Sequence, residues 1–488
     1  MTEAEQSSQG EIPKGTTTRF APLIVMGAVL LFLLMEALGL ALSIRLTTLL
    51  LGLCAVLFGL GRLGGHDDVL NPARVFGCIW CICLALASMR LLPFLSEWRF
   101  PMWSCVLTAL FCFVGGFWAV RFRDLRELGK LALTRREDSL ISLKLRSAML
   151  AATVCLAIGV ATLGYEYHLV GGIPILSENP DASRMALFGF GEGRDPAFNT
   201  LFVRLIHPFV EFTKYSVFLA VLVLIRKNSK SKRTWIAFGG IAFLGTAAYC
   251  SQGGRTFVVS IVIICLAFVH YLRRPIKQHE LAIAMAILCA FVALFGAYRI
   301  EQSGSAPQFD KALRLSSFPS GPLGDASAFG YATITSSLEV FNRLRDDLRS
   351  LPSSSSGYLF YAFHSVVPRS NLGDVALDMY SGEFVTATFL GEFYADFGYP
   401  GVLFGPLLLG VIYGLIYGRG EKEGSIYWIY VRALFLQMLV FFPYVNLFSQ
   451  YLTWIFDVFF MYFLLRCTTR EKDRTVGVPA YVPQGGRA

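Results

Sequence analysis

Charge is what this sequence has least of. Asp, Glu, Lys and Arg together make up 16% of its 488 residues, against about 25% in a soluble domain. That shortfall excludes a large soluble enzyme, and the apolar content excludes a disordered chain. Cysteine is too sparse for a disulfide scaffold: there are 11, all in or beside apolar stretches or in the basic tail. No P-loop, Rossmann fingerprint, HExxH or GxSxG sequence occurs, and no lipidation signal is read, so the chemistries those motifs carry are not indicated.

What the chain has instead is apolar length. Hydrophobic residues make up 55%, the mean hydropathy is +0.56, and Phe alone contributes 42 residues. Apolar runs occur at about 20–42, 44–61, 75–95, 102–120, 147–165, 206–225, 234–250, 255–272, 281–298, 400–418, 425–446 and 450–466. At 1.5 Å rise per residue, about 20 residues cross a hydrocarbon core of roughly 30 Å. The expected fold is an all-α integral membrane protein of about 12 transmembrane helices, since helices satisfy every backbone group within a single span. No cleavable signal is read, because the polar stretch Met1–Arg19 leads into a run of spanning length. Cys78, Cys81 and Cys83 have the look of a metal cluster, yet they lie in an apolar run, where thiols behave as small hydrophobes. No metal site is expected.

The net charge of +9 follows from topology and is no sign of nucleic-acid binding. With the N-terminus inside, 27 of the 43 Lys and Arg fall on the inner side and 14 on the outer. The expected organisation is a cytoplasmic tail over 1–19, a membrane domain over 20–466 and a cytoplasmic tail over 467–488. Two outer loops, about 166–205 and 299–399, are long enough to hold chemistry. In the second, Ser336–Glu339 has capping-box spacing ahead of Leu338, Phe341, Leu344 and Leu348, which predicts a surface helix. Gly382–Gly398 reads as an amphipathic stretch at the membrane interface.

The outer side carries arginines: Arg184, Arg194, Arg204, Arg255, Arg299 and Arg369. A guanidinium stays charged and offers a planar fork of donors, so a converging set suits a pyrophosphate; singly, each would snorkel to headgroups. His207, Glu211 and Lys214 are spaced i, i+4 and i+7 on one span. Glu211 and Lys214 either neutralise one another or serve function, while His207 suits the orientation or deprotonation of a hydroxyl. Glu36, Arg432 and Asp457 are read as packing pairs or gate residues.

Gly171-Gly172-Ile173-Pro174-Ile175-Leu176-Ser177, followed by Asp181-Ala182-Ser183-Arg184, resembles the first outer loop of bacterial oligosaccharide repeat-unit polymerases, the O-antigen polymerase family. Ser251–Thr256 is similar to the family's Gly/Ser-Arg-Thr turn, and Val367-Pro368-Arg369 resembles its proline-arginine element. Glu392–Gly401 resembles its aromatic-acid-Phe-Gly element. The resemblance implies a glycosyltransferase of the bacterial inner membrane that joins undecaprenyl-pyrophosphate-linked repeat units into a surface polysaccharide: O-antigen, capsule or exopolysaccharide. On that basis Arg184, Arg255 and Arg369 are expected on pyrophosphate, His207 or Glu392 at the acceptor hydroxyl, and Tyr394 and Asp396 at the sugar, without cofactor or metal. Expected partners are the lipid-linked glycan, membrane lipids, a chain-length regulator and a flippase, with no nucleic acid. Two alternatives stay open: a flippase or transporter for the lipid-linked glycan, and an O-antigen ligase.

Overall fold

The computed structural model describes residues 44–60, 68–128, 142–178, 201–226, 231–302, 321–347, 386–423, 425–447 and 451–470, together with Gly27, Pro180, Ser183 and Phe318. The apolar run at 20–42, with Glu36, lies outside them, as do Arg184, Arg194 and Arg369. Arg204 and Arg299 fall on helices, but their side chains are likewise outside the description.

Thirteen α-helices occur among the described residues. They are α1 Ile44–Leu60, α2 Pro72–Ser88, α3 Phe100–Leu128, α4 Leu145–Val170, α5 Leu201–Ile206, α6 Phe212–Arg226 and α7 Lys232–Cys250. After these come α8 Arg255–Phe268, α9 Gln278–Gln302, α10 Pro322–Asp347, α11 Leu390–Glu423, α12 Ile426–Phe441 and α13 Tyr451–Thr468. The described strands are two residues each: Ser142–Leu143 and Thr469–Arg470 pair antiparallel, tying the start of α4 to the end of α13. Six segments are long and apolar enough to cross a membrane: Phe100–Arg121, Leu145–Val170, His207–Ile225, Arg255–Arg273, Gln278–Tyr298 and Leu390–Glu421. The chain is a helical membrane protein, and every apolar run from 44–61 onward coincides with a helix.

Local chemistry sets several boundaries. Asn71 caps α2, its side chain accepting from the Ala73 and Arg74 amides, with Pro72 at the first helical position. α4 ends on Gly171 in the left-handed region (φ 86°), and Gly172 N–H donates to the Tyr167 carbonyl. Helix α3 lies backbone to backbone on α11: Gly116 faces the Leu407 carbonyl and Gly410 the Phe113 carbonyl, and a side chain at either glycine would collide with it.

Packing fixes which ends of the helices meet. Gly245 of α7 packs on Thr213 and Ser216 of α6, and Gln437 of α12 donates to Ser260 of α8 at 2.9 Å. The ends of α4, α7 and α12 and the beginnings of α6, α8 and α11 therefore lie together, at what we term the His207 end. The opposite end is closed by Asp68, between α1 and α2. Its Oδ1 accepts from Leu70 N–H (2.8 Å) and faces His270 Nε2 (3.0 Å); Oδ2 receives Tyr417, Tyr271 (3.3 Å) and Arg432 (3.4 Å). Because the Ile276 amide donates to His270 Nδ1 at 3.0 Å, that ring is the neutral Nε2–H tautomer. Arg432, expected as a packing pair or gate, is a packing pair here.

The two elements expected in the second long loop differ from their sequence reading. The surface helix anticipated from Ser336 is the second half of α10, which starts fourteen residues earlier at Pro322. Ser336 is buried mid-helix, so its capping-box spacing is coincidental, and Leu338, Phe341 and Leu344 are buried in the core. The Gly382–Gly398 stretch is described from Thr386. It enters the bundle as a short helical arm, 390–397, with Phe389 and Phe393 buried, and not as an interfacial helix.

Candidate functional site

Helix α10 lies across the His207 end and joins its parts. One stripe, at i, i+4, i+8 and i+12, comprises Phe329, Thr333, Ser337 and Phe341. Phe329 lies under the Arg255 guanidinium, 4.4 Å from ring centroid to Cζ, and Thr333 Oγ1 accepts from Arg255 Nη1 at 3.1 Å. Ser337 meets Thr386 at 2.9 Å, and Phe341 packs edge-on against Tyr394 at 5.9 Å. The opposite stripe grips the loop after α2. Tyr331 bonds the Leu86 carbonyl (2.8 Å) and receives the Leu91 amide (3.1 Å), while Glu339 accepts from Ser96 (2.7 Å) and Trp98 (3.1 Å). Burial raises the Tyr331 phenol above its usual range, so it stays a neutral donor. The guanidinium of Arg255 is thus held from the side by α10, at the first turn of α8.

The arm that carries Glu392 is fixed by aromatic packing. Phe389 stacks on Phe442 at 4.7 Å and meets Trp80 edge-on at 5.3 Å, and its amide donates to the Phe442 carbonyl at 2.9 Å. Asn446 Nδ2 then donates to Glu392 Oε2 at 2.6 Å. The chain reverses at Gly398, whose φ of 64° and ψ of −144° suit glycine alone, and Gly401 receives the Phe393 carbonyl against its bare Cα. Tyr394 is buried between Phe341 and Tyr399, so it packs the arm; Asp396 is half-buried on the same turn.

His207 begins a 3₁₀ turn, His207–Glu211, between α5 and α6. Pro208 at the next position lacks an N–H and favours such a turn opening. The regular helical spacing expected for His207, Glu211 and Lys214 is therefore broken across this turn. His207 Nδ1 lies 2.8 Å from Glu166 Oε1 in the last turn of α4. The two side chains differ sharply in access: 41% of His207 is exposed, against 1% of Glu166. Glu166 Oε2 is buried and has no hydrogen-bond partner among the described residues. The neighbouring Tyr167 hydroxyl meets Ser251 Oγ at 2.5 Å, which ties α4 to the turn preceding Arg255.

Deeper in the bundle, Lys214 Nζ contacts Glu211 Oε2 at 2.5 Å and Asp457 Oδ2 at 2.9 Å. Tyr215 also donates to Asp457, and Tyr249 to Glu211 at 3.2 Å. The Glu211–Lys214 neutralisation expected from their spacing is present, with Asp457 of α13 as a second counter-ion.

Beyond Glu166 the chain turns through the 3₁₀ segment Pro174–Leu176 and walls an open cleft of about 570 Å³. Gly171, Gly172, Ile173, Ser177, Glu178 and Ser183 line it, with a 2.9 Å hydrogen bond from Ser183 to Ser177. Among the described residues the lining offers the Ser177 and Ser183 hydroxyls and the Glu178 carboxylate beside apolar Ile173 and Leu176, groups that suit sugar hydroxyls. Among the described residues, no three His, Cys, Asp or Glu side chains converge as a metal site.

Of the residues singled out in the sequence, the structure therefore brings His207 and Arg255 to one end, linked through Glu166, Tyr167 and Ser251. Glu392 stands on the same end, on a separate arm. Glu166, Ser251 and Thr333 were missed as partners. The signal for Glu166 was Gly171: a glycine at the helix end extends α4 to Val170 and turns a loop carboxylate into a buried one.

A helical membrane bundle with an arginine, a carboxylate-paired histidine and a polar cleft at one end belongs to the class of integral membrane enzymes acting on amphiphilic substrates. The family is given by comparison: the model described as "Putative O-antigen polymerase" matches residues 18–442. The chain belongs to the O-antigen polymerase family. It is a membrane-embedded polymerase of polysaccharide repeat units, working by glycosyltransferase-type polymerisation on a lipid-linked glycan. Comparison with curated proteins and with solved structures gives no match.

Proposed function

We propose that the protein takes a glycan on undecaprenyl pyrophosphate and transfers its reducing end to a hydroxyl of the next lipid-linked repeat unit, at the outer face of the bacterial inner membrane. In this reaction the acceptor oxygen bonds the anomeric carbon and the bond from that carbon to the pyrophosphate oxygen breaks. The acceptor proton passes to His207, and undecaprenyl pyrophosphate leaves with the bonding pair. Arg255 meets the negative charge that develops on the leaving group. The carrying observation is that His207 and Arg255, 48 positions apart, stand at one end of the bundle, joined through the Glu166, Tyr167 and Ser251 contacts.

The remaining roles follow from chemistry. The cleft over Gly171–Ser183 takes sugar hydroxyls, and Glu392, held by Asn446, with Asp396 orients the acceptor. Tyr394 supports that arm from within. Arg184 and Arg369 complete the pyrophosphate clamp. Both termini are cytoplasmic, and the product is an O-antigen, capsule or exopolysaccharide, made alongside a chain-length regulator and a flippase. The pairing of Lys214 with Glu211 and Asp457 favours the enzyme over a transporter, because it gives the buried cation two structural counter-ions.

The test is the glycan ladder of cells lacking the protein, complemented with wild type or Arg255→Ala at equal membrane abundance. Wild type is expected to restore the ladder and Arg255→Ala to leave single repeat units on the terminal acceptor. Loss of even single units in the deletion, with lipid-linked repeats trapped on the cytoplasmic face, would make the protein a flippase. A full-length glycan left on its lipid would make it a ligase.

A further inference from the structure

Glu166 is buried in the last turn of α4, and one of its two oxygens has no hydrogen-bond partner among the described residues. Its only ion-pair partner among the described residues is His207. An ionised carboxylate in that position is costly unless a cation stands beside it. Among the described residues the other ionisable groups nearby do not supply one: Arg255 of α8 is held by Phe329 and Thr333 of α10. Lys214 of α6 is committed to Glu211 and Asp457, while Tyr167 of α4 and Tyr249 of α7 carry phenols engaged with Ser251 and Glu211. Glu211 itself adds negative charge. The cation that can match Glu166 is the imidazolium of His207.

We infer that Glu166 is the positioning residue for the base: it holds the His207 proton on Nδ1, leaves the lone pair on Nε2, and stabilises the imidazolium formed when the acceptor hydroxyl gives up its proton. This rests on the proposed role of His207 and deepens it. The geometry carries the argument. A carboxylate at 2.8 Å accepts from Nδ1–H, so the ring is presented in one tautomer, on a side chain that is 41% exposed. The stabilisation is selective for the charged, proton-accepting state, because the neutral ring gains little from a buried anion and the imidazolium gains much. Burial of Oε2 away from water keeps that interaction unscreened.

The test uses the full-length protein in lipid nanodiscs, with lipid-linked repeat units extracted from cells lacking it, and scores rates per folded molecule. Glu166→Gln is expected to lower kcat by about 100-fold or more with KM within about threefold, since the amide can donate to Nδ1 and impose the wrong tautomer. The acid limb of the pH-rate profile is expected to move to lower pH. Glu166→Asp, which keeps the charge, is expected to recover at least about a tenth of the wild-type kcat, and His207→Ala combined with Glu166→Gln to be no worse than His207→Ala alone. Where Glu166→Gln fails to fold, Glu166→Asp carries the test, a displaced acid limb supporting the inference and an unmoved one overturning it. If Glu166→Gln keeps kcat within threefold and an unchanged pH profile while His207→Ala is inactive, Glu166 is only structural and the inference fails alone. If His207→Ala keeps its kcat, the base reading itself fails.

Discussion

Lys214 and Asp68 are each held by identifiable neighbours, and those neighbours decide what their loss costs. Lys214 stands buried between Glu211 and Asp457. Lys214→Ala leaves Glu211 and Asp457 without their cation and is expected to cost about 3–5 kcal/mol, while Lys214→Met with Asp457→Leu and Glu211→Gln recovers most of it. Thermal unfolding in detergent checks both. Asp68, outside the spans, behaves otherwise. Burial pushes its carboxyl up, but the His270 hydrogen bond, the Arg432 charge and the Tyr417 hydroxyl outweigh that and hold it at about 2. Its pKa is lower folded than unfolded, so its contribution is complete above about pH 4 and is lost as pH falls toward 2. Unfolding temperatures of wild type minus Asp68→Asn are therefore expected to stay level from pH 5 to 8 and to converge only in acid.

Elements were legible where periodicity and length spoke, and illegible where tertiary packing overrode them. The apolar runs from 44–61 onward each gave a helix because a membrane leaves the backbone only helical solutions. Among the described residues six of these segments are long and apolar enough to cross one, against the twelve expected. Helix α10 was missed in its first half, since Pro322–Thr335 carries small and polar residues with no apolar stripe, and its burial comes from α9, where Gly296 meets Phe329 and Ala293 meets Gly330, together with Arg255 and the 90–98 loop. The arm at 390–397 looked interfacial because its phenylalanines alternate with acids; its pocket is built by Trp80 and Phe442, far away in sequence. Within the site, His207 and Arg255 were readable as residue types on one side, whereas the Glu166 partnership depended on where α4 ends. Two expectations belong at this scale. Gly398→Ala is expected to cost about 1–3 kcal/mol by forcing a side chain into glycine-only backbone space, and Phe389→Ala about 3–5 kcal/mol by emptying the aromatic pocket. Both should reduce polymer formation by displacing Glu392, which limited proteolysis of the arm in nanodiscs would register as faster cleavage.

For the whole molecule, the bundle places its two polar ends apart: one closed by the Asp68 network, the other carrying His207, Arg255 and the cleft that follows α4. That asymmetry is what the proposed one-sided polymerisation would need. The central claim is chemical, and the most direct measurement is made with purified full-length protein in nanodiscs supplied only with lipid-linked repeat units. The account expects glycans of two and more repeats on the lipid, with one undecaprenyl pyrophosphate released per bond formed, and neither product from Arg255→Ala. Lipid-linked repeats that cross the bilayer unchanged, with no lengthening and no released lipid pyrophosphate, would contradict it.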